Sequence, residues 1–361
     1  MPKPPTLNSK VARRRQPEDR TPPLSSPQAL KAHLDTIVVG QERAKRTLAV
    51  AVANHYARID GNDRRIADPD LAGVTIEKAN ILLIGPTGSG KTYIVRALAE
   101  KLNVPISVGD ATSLTEAGYV GQDVESLLRD LIRAADNDIE AAQRGIVYID
   151  EFDKLRATGL NVSTARDVGG KGVQQAILKM VEGSTVNVPL SGGRHHPHDE
   201  SEALDTTNIL FICGGAFVGL EEIVAERIPT RSGDDLMQHV MPRDLIRFGI
   251  IPELVGRLPV TTSLSALTVA DLEAVLTEPR NALTKQYRKQ CLLLGFDVEF
   301  TPCAIKALAG AAIKMETGAR GLRSVIETVM LDIQFTARPG HRYVIDRDVV
   351  NGCKRPKETR V

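Results

Sequence analysis

The residues in this chain best suited to chemistry stand in one run, Gly85-Pro86-Thr87-Gly88-Ser89-Gly90-Lys91-Thr92. The pattern G-x-x-x-x-G-K-[ST] is that of a phosphate-binding loop. Glycines let successive backbone N–H groups turn inward around an anion, and a helix starting behind them adds a partial positive charge. In that arrangement Lys91 reaches the terminal phosphates and the Thr92 hydroxyl holds Mg2+. The flanks have the character such a loop needs. Asn80-Ile81-Leu82-Leu83-Ile84 suits a buried parallel strand, and Ile94, Val95, Leu98 and Leu102 recur on one helix face. Strand, glycine loop and helix together predict a site for a nucleoside triphosphate.

A second acidic constellation completes that chemistry. Gly145-Ile146-Val147-Tyr148-Ile149-Asp150-Glu151 is an apolar strand ending in two carboxylates, one helix–strand unit after the loop. Asp150 at the strand end is placed to coordinate Mg2+ through water, and Glu151 to polarise an attacking water. Other candidates are less specific. Ile37-Val38-Val39-Gly40-Gln41 breaks a helical pattern, and its small apolar side chains could sandwich an adenine ring or simply turn between two helices. Gly118-Tyr119-Val120-Gly121 sets bulky residues between glycines, which disfavours both helix and strand. It reads either as a turn with Tyr119 packed inward or as a mobile loop presenting an aromatic grip. Arg257, after Ile250–Gly256, is either a helix-terminal surface arginine or a charge donated to a neighbour's γ-phosphate. Arg320 falls at a predicted helix N-terminus, a good place to meet phosphate. The loop Gly192 to Glu200 carries His195, His196 and His198 with Asp199 and Glu200, yet lacks the i, i+4 helical spacing of zinc sites. A charged surface or channel loop fits it better.

Strands that alternate with helices as far as Asn208–Gly215 position these residues on a parallel α/β sheet with helices on both faces. Composition shifts at Ser263–Leu267, a plausible hinge, and helices dominate beyond it: Ala270–Leu276, Asn281–Leu293 and Cys303–Met315, with short strands at Asp297–Phe300 and Tyr343–Ile345. The expected organisation is a disordered Pro/Arg-rich arm over 1–28, a large ATPase domain over 29–263 and a small, mainly helical α+β domain over 264–361. The chain has 361 residues, 42% of them apolar and 25% charged, as in ordinary soluble globular proteins. A net charge of +1 and 4% aromatics supply neither a basic stripe nor stacking platforms for nucleic acid. No apolar run suits a bilayer span and no secretory leader is present, so a cytoplasmic location is expected. None of the four cysteines forms a C-x-x-C pair, and no zinc is expected.

Taken together, the motifs resemble the ClpX family of ring-forming AAA+ protein unfoldases. The residues that carry the resemblance are Val39-Gly40-Gln41-Glu42, the phosphate loop, Ala111 through Gly121, Arg144 through Lys154, Arg166-Asp167-Val168, Gly192-Gly193-Arg194, Ile209 through Phe217, Ile250 through Pro259 and Thr317 through Ser324. The resemblance implies an AAA+ P-loop large domain followed by a small domain, a homohexameric ring, and ATP with Mg2+ held between subunits. It implies that Lys91 and Thr92 hold phosphate and metal, that Asp150 places the metal and that Glu151 activates water. It further implies that Arg257 reaches a neighbour's γ-phosphate, that Arg320 senses nucleotide from the small domain and that Val39 lines the adenine pocket. Tyr119 and Val120 would sit on the axial loop that pushes protein substrates through the pore, Arg166 on a second pore loop, and Arg194 with His196 at the pore entrance.

Departures from the family pattern modify these expectations. A proline-rich arm stands where the family carries a zinc-binding domain. Arg227 to Asp244 is short, and its Gly233 is followed by two aspartates instead of the aliphatic-Gly-Phe tip that docks on the ClpP peptidase. His195 stands where the family has lysine, weakening positive charge at the entrance at neutral pH. The family's first sensor is not obvious; Asn208 is a candidate. The expected activity is ATP-driven protein unfolding without ClpP. The alternatives are an ATPase subunit of a Clp-type protease docking by other contacts, an AAA+ motor on DNA, and a scaffold that binds ATP without turnover.

Overall fold

A computed structural model describes residues 26–61, 68–71, 73–115, 122–156, 170–189, 201–228 and 235–360. Its centre is a sheet whose strands are β1 (Ile81–Ile84), β2 (Ile106–Asp110), β5 (Ile146–Asp150), β8 (Leu210–Gly215) and β9 (Val260–Ser263). Between them in sequence lie the two-residue pair β3 (Leu114–Thr115) and β4 (Gln122–Asp123) and the hairpin of β6 (Thr185–Pro189) with β7 (Ser201–Asp205). The order is β2-β5-β8-β1-β9 and every neighbour is parallel. The α/β class expected from alternating strands and helices is therefore present.

Both faces of this sheet are covered, which is why β1 and β8 are apolar at every position instead of alternating. Alternation survives in which core each residue joins. Ile81, Leu83, Tyr148, Leu210 and Ile212 pack on one face with the helices Pro27–Asp35, Glu42–Gly61 and Lys91–Leu102. Leu82, Ile84, Val147, Ile149, Phe211 and Cys213 pack on the other with Ser126–Ala134 and Lys171–Glu182. The first helix starts where Ser26 accepts from Ala29 N at 3.1 Å, with Pro27 in its first turn. The second strand begins only at Ile106, because Pro105 has no N–H to give to a ladder. Its carbonyl accepts from Ile146 N as pairing begins.

A second core forms from helices Val269–Thr277, Leu283–Leu293, Pro302–Lys314 and Ala319–Thr336 with β10 (Asp297–Phe300) and β11 (His341–Ile345), and β12 (Lys357–Arg360) pairs on β11 with all four residues exposed. β10 and β11 are parallel and β12 returns antiparallel. β3, β4, β7, β9 and the last strand were not anticipated: β12 reads Lys-Glu-Thr-Arg, with no apolar face to betray it. Buried Asp297 is held by Arg288 at 2.9 Å and Arg342 at 3.0 Å, which keeps its carboxyl below the usual carboxylate range, chiefly through the Arg288 contact. Among the described residues no helix is long and apolar enough to cross a membrane.

Candidate nucleotide site

In a parallel sheet the loops at the carboxyl ends of the strands share one edge, where open α/β folds bind ligands. Here the phosphate loop follows β1, Asp150 ends β5 and Gly215-Ala216 end β8. They line one cleft of about 770 Å³, within the range of small-molecule sites. The cleft lies between the two cores. Ile37, Val38 and Val39 form an apolar wall from the first turn region, Leu267, Val275 and Leu283 one from the second core, and Arg320 and Arg323 project from the first turn of Ala319–Thr336.

The loop itself has the form that its glycines predict. Gly88 and Gly90 adopt φ of +77° and +98°, and Gly90 leads directly into the helix Lys91–Leu102. Ser89 contributes a buried hydroxyl with no hydrogen-bond partner among the described residues. Lys91 is buried, and its Nζ donates to Gly85 O at 2.6 Å and Pro86 O at 3.1 Å. Burial pushes its pKa down, while Asp150, Asp153 and Glu151 nearby pull the other way. Thr92 Oγ1 donates to Asp150 Oδ2 at 2.9 Å. The Glu151 N–H turns back onto Asp150 Oδ1 at 3.0 Å. Glu151 itself sits at φ +54°, in the left-handed region that a non-glycine residue occupies at a cost of about 1–3 kcal/mol. This kink ends the strand and leaves the Glu151 side chain exposed on the cleft rim.

The donor set suits an anionic, metal-bearing ligand. Inward backbone, a buried hydroxyl without a partner among the described residues and four cations (Lys91, Lys154, Arg320 and Arg323) favour phosphate, and the Thr92–Asp150 oxygens suit a hard cation such as Mg2+. Thr87 through Thr92 thus come together with Val39, Asp150, Glu151 and Arg320, whereas Gly85 and Pro86, expected with them, do not line the cleft: the Gly85 N–H is taken by Gly215 O at 3.0 Å, and both residues' carbonyls accept from Lys91 Nζ. Arg257 does not join them. It follows the helix Pro252–Gly256, pairs with Glu182 at 3.2 Å and gives its carbonyl to Asn80 Nδ2 at 3.0 Å. Asn80 precedes β1, so Arg257 stands at the opposite end of the strands from the phosphate loop. Asn208 is also at that far end, before β8, where Arg58 donates to its Oδ1 at 3.0 Å. It does not line the cleft, and the expectation of a sensor there is corrected. Tyr119, Val120, Arg166, Arg194 and His196 lie outside the described residues.

Asp153 and Arg323 were missed as cleft residues. Asp153 is buried and accepts from Ala216 N at 3.0 Å, tying the end of β5 to the end of β8. Its signal was the acid in Asp150-Glu151-Phe152-Asp153; Arg323 stands one helical turn beyond Arg320.

Comparison with known families agrees with this architecture. A model of the AAA domain (Cdc48 subfamily) matches residues 76–261, and one of the C-terminal, D2-small domain of ClpB protein matches residues 267–335. The ATP-dependent Clp protease ATP-binding subunit ClpX of Treponema denticola is 48% identical over 361 aligned positions, spanning 95% of this chain and 85% of that protein. The proteins of the same name from Borrelia duttonii and Porphyromonas gingivalis are 49% and 46% identical over 86% and 90% of this chain. They are spanned to 74% and 81% of their own lengths.

Proposed function

This chain belongs to the ClpX family of AAA+ ATPases, and from that premise we propose that it threads protein substrates through a homohexameric ring, driven by ATP hydrolysed in the cleft described above. The observation that carries the reading is the cleft itself. Phosphate loop, acid pair and second-core arginines face one another across a space that suits a nucleotide.

Within it, Lys91 and the backbone of Thr87 to Gly90 hold phosphates, while Arg320 reaches them from the second core. Val39 and the apolar wall exclude water from the base. Thr92 and Asp150 hold Mg2+, which neutralises phosphate charge when bound. Glu151, exposed on the rim, accepts the proton of the attacking water. Arg257 supports ring assembly because β1 separates it from its own phosphate loop by about 13 Å, at about 3.3 Å per residue. It therefore acts on a neighbouring subunit. Tyr119 and Val120 grip the substrate chain on one pore loop, Arg166 stands on a second, and Arg194 and His196 guard the entrance. Residues 29–263 form the large domain and 264–361 the small one, and the ring works in the cytoplasm.

We also propose that the ring acts without ClpP. Arg227 donates to Asp244 Oδ2 at 2.6 Å and to His239 O at 2.7 Å, closing the base of the short segment between them. That segment has Gly233-Asp234-Asp235 in place of an apolar tip. The printed name of the relatives favours a second reading, the ATPase subunit of a Clp-type protease. Mixing the protein with ATP, ClpP and a tagged fluorescent protein separates the two. Loss of fluorescence without peptide release supports the first, and ATP-dependent peptide release establishes the second. No loss of fluorescence with or without ClpP overturns both.

A further inference from the structure

Tyr148 has no part in the chemistry above, yet it is the largest buried polar side chain beside the acid pair. It is fully buried on β5, and its hydroxyl donates to Asp150 Oδ1 at 3.1 Å. Tyr148 and Asp150 are two residues apart on a strand, so both side chains lie on the face covered by the helix Lys91–Leu102. Ile149 is registered with Cys213, which makes Gly214 the residue of β8 beside Asp150. A Cβ on Gly214 would stand 2.2 Å from the Tyr148 Oη and 2.8 Å from its Cζ. The space a side chain of β8 would fill next to Asp150 is thus taken by a hydroxyl from β5. Gly214 is the residue type that permits this.

The consequence for Asp150 is a carboxylate fixed on both oxygens. Tyr148 and the Glu151 N–H hold Oδ1, and Thr92 holds Oδ2. A carboxylate so bound cannot rotate about its terminal torsion without losing a hydrogen bond.

We propose that Tyr148 is a positioning residue for the metal site. Its hydroxyl, admitted by Gly214, orients the Asp150 carboxylate and thereby sets the affinity of the nucleotide site for its divalent cation. The proposal rests on the reading of Asp150 as a metal-holding residue.

Partners that orient a metal-binding carboxylate typically change metal affinity by about 10- to 100-fold when removed. The test uses the full chain with a non-hydrolysable ATP analogue and Mn2+ as the spin probe, comparing the unaltered protein with Tyr148→Phe, Gly214→Ala and Asp150→Asn. Free Mn2+ is read by electron paramagnetic resonance, and nucleotide binding is read separately in EDTA. Tyr148→Phe should weaken Mn2+ binding about tenfold and leave metal-free nucleotide binding unchanged. Gly214→Ala, which drives a methyl into the hydroxyl's place, should weaken it in the same direction, and it carries the test if Tyr148→Phe does not fold. Unchanged Mn2+ binding in Tyr148→Phe, with loss in Asp150→Asn, would overturn the proposal while leaving the nucleotide-site reading intact. Unchanged binding in Asp150→Asn would overturn both.

Discussion

The backbone N–H of Ala319 donates to the carbonyl of Gly88 at 3.2 Å, joining the first turn of a second-core helix to the middle of the phosphate loop. The approach is tight: a Cβ on Gly88 would lie 2.2 Å from Thr317 O, and Gly88 already sits at φ +77°. Any rotation of the second core against the sheet must move this contact and the loop that cradles phosphate. Gly88→Ala should therefore uncouple the two. The left-handed backbone costs about 1–2 kcal/mol with a side chain, and the clash adds to it. ATP affinity, followed by fluorescent-nucleotide titration, is expected to fall at least about tenfold, the equivalent of 1.4 kcal/mol.

Glu151 is exposed on the rim of the cleft, and among the described residues its side chain makes no hydrogen bond or ion pair, so it can be altered without disturbing binding. Glu151→Gln should retain ATP and lower hydrolysis by about 10²- to 10⁴-fold, the usual contribution of a positioned base. Phosphate release and nucleotide retention, measured on the same sample, check it. Loss of both together would show that Glu151 holds the loop instead of acting on water.

If the Gly118–Gly121 quartet grips the threaded chain, Tyr119→Ala should separate fuel consumption from work. ATP turnover stays within about twofold, since removing a contact made to the client alone leaves the transition state for hydrolysis untouched. Unfolding of a tagged fluorescent protein is lost. Unfolding at an undiminished rate would remove Tyr119 from the mechanism.

The cleft was legible in the sequence wherever chemistry and local geometry use the same residues. A strand, a glycine loop and a helix must be contiguous to make a phosphate cradle, so Gly85 to Thr92 could be read in one window. Asp150 and Glu151 showed themselves because an apolar strand ends on them. What escaped depends on the order of strands in the sheet. Nothing local places Tyr148 beside Gly214, because the juxtaposition exists only once β5 and β8 are neighbours. Asn208 looked suitable as a polar residue next to a strand, but it precedes β8, and ligands gather where the strands end. β7 and β12 were missed for another reason. Each has an exposed or polar register, so neither carries the alternation from which strands are read.

His55 makes stability depend on pH. It is buried at the far end of the sheet, where its Nε2 lies 3.1 Å from Asn208 O and its Nδ1 has no partner among the described residues. Burial first, then Arg58, pulls its pKa down from 6.5 to about 3, against the Asn208 carbonyl; Lys78 and Arg144 add to the depression. Between those values the unfolded chain binds a proton that the folded chain refuses, so stability falls as pH drops from about 6.5 toward 3. The slope from this group is at most about 1.4 kcal/mol per pH unit. Urea unfolding at pH 7, 6 and 5 should show it, and His55→Gln should flatten the decline over that interval.

Arg257 decides whether the active unit is one chain or several. It is absent from its own cleft, its carbonyl is anchored by Asn80, and its guanidinium rests against Glu182. An arginine that stabilises phosphoryl transfer from a neighbouring subunit is worth about 10³- to 10⁵-fold in kcat. Arg257→Ala should bind ATP normally and lose most hydrolysis, and so should Lys91→Ala lose hydrolysis through failure to hold phosphate. Neither variant alone completes a site. In a mixture, an Arg257→Ala subunit with an intact cleft can sit beside a Lys91→Ala subunit with an intact arginine, and that seam contains every group the reaction needs. Mixing the two should restore hydrolysis well above the sum of the separate preparations, with a dependence on mixing ratio that peaks near equal amounts. Additive rates at every ratio would mean that Arg257 serves its own chain or none, and the ring would lose its chemical reason to exist.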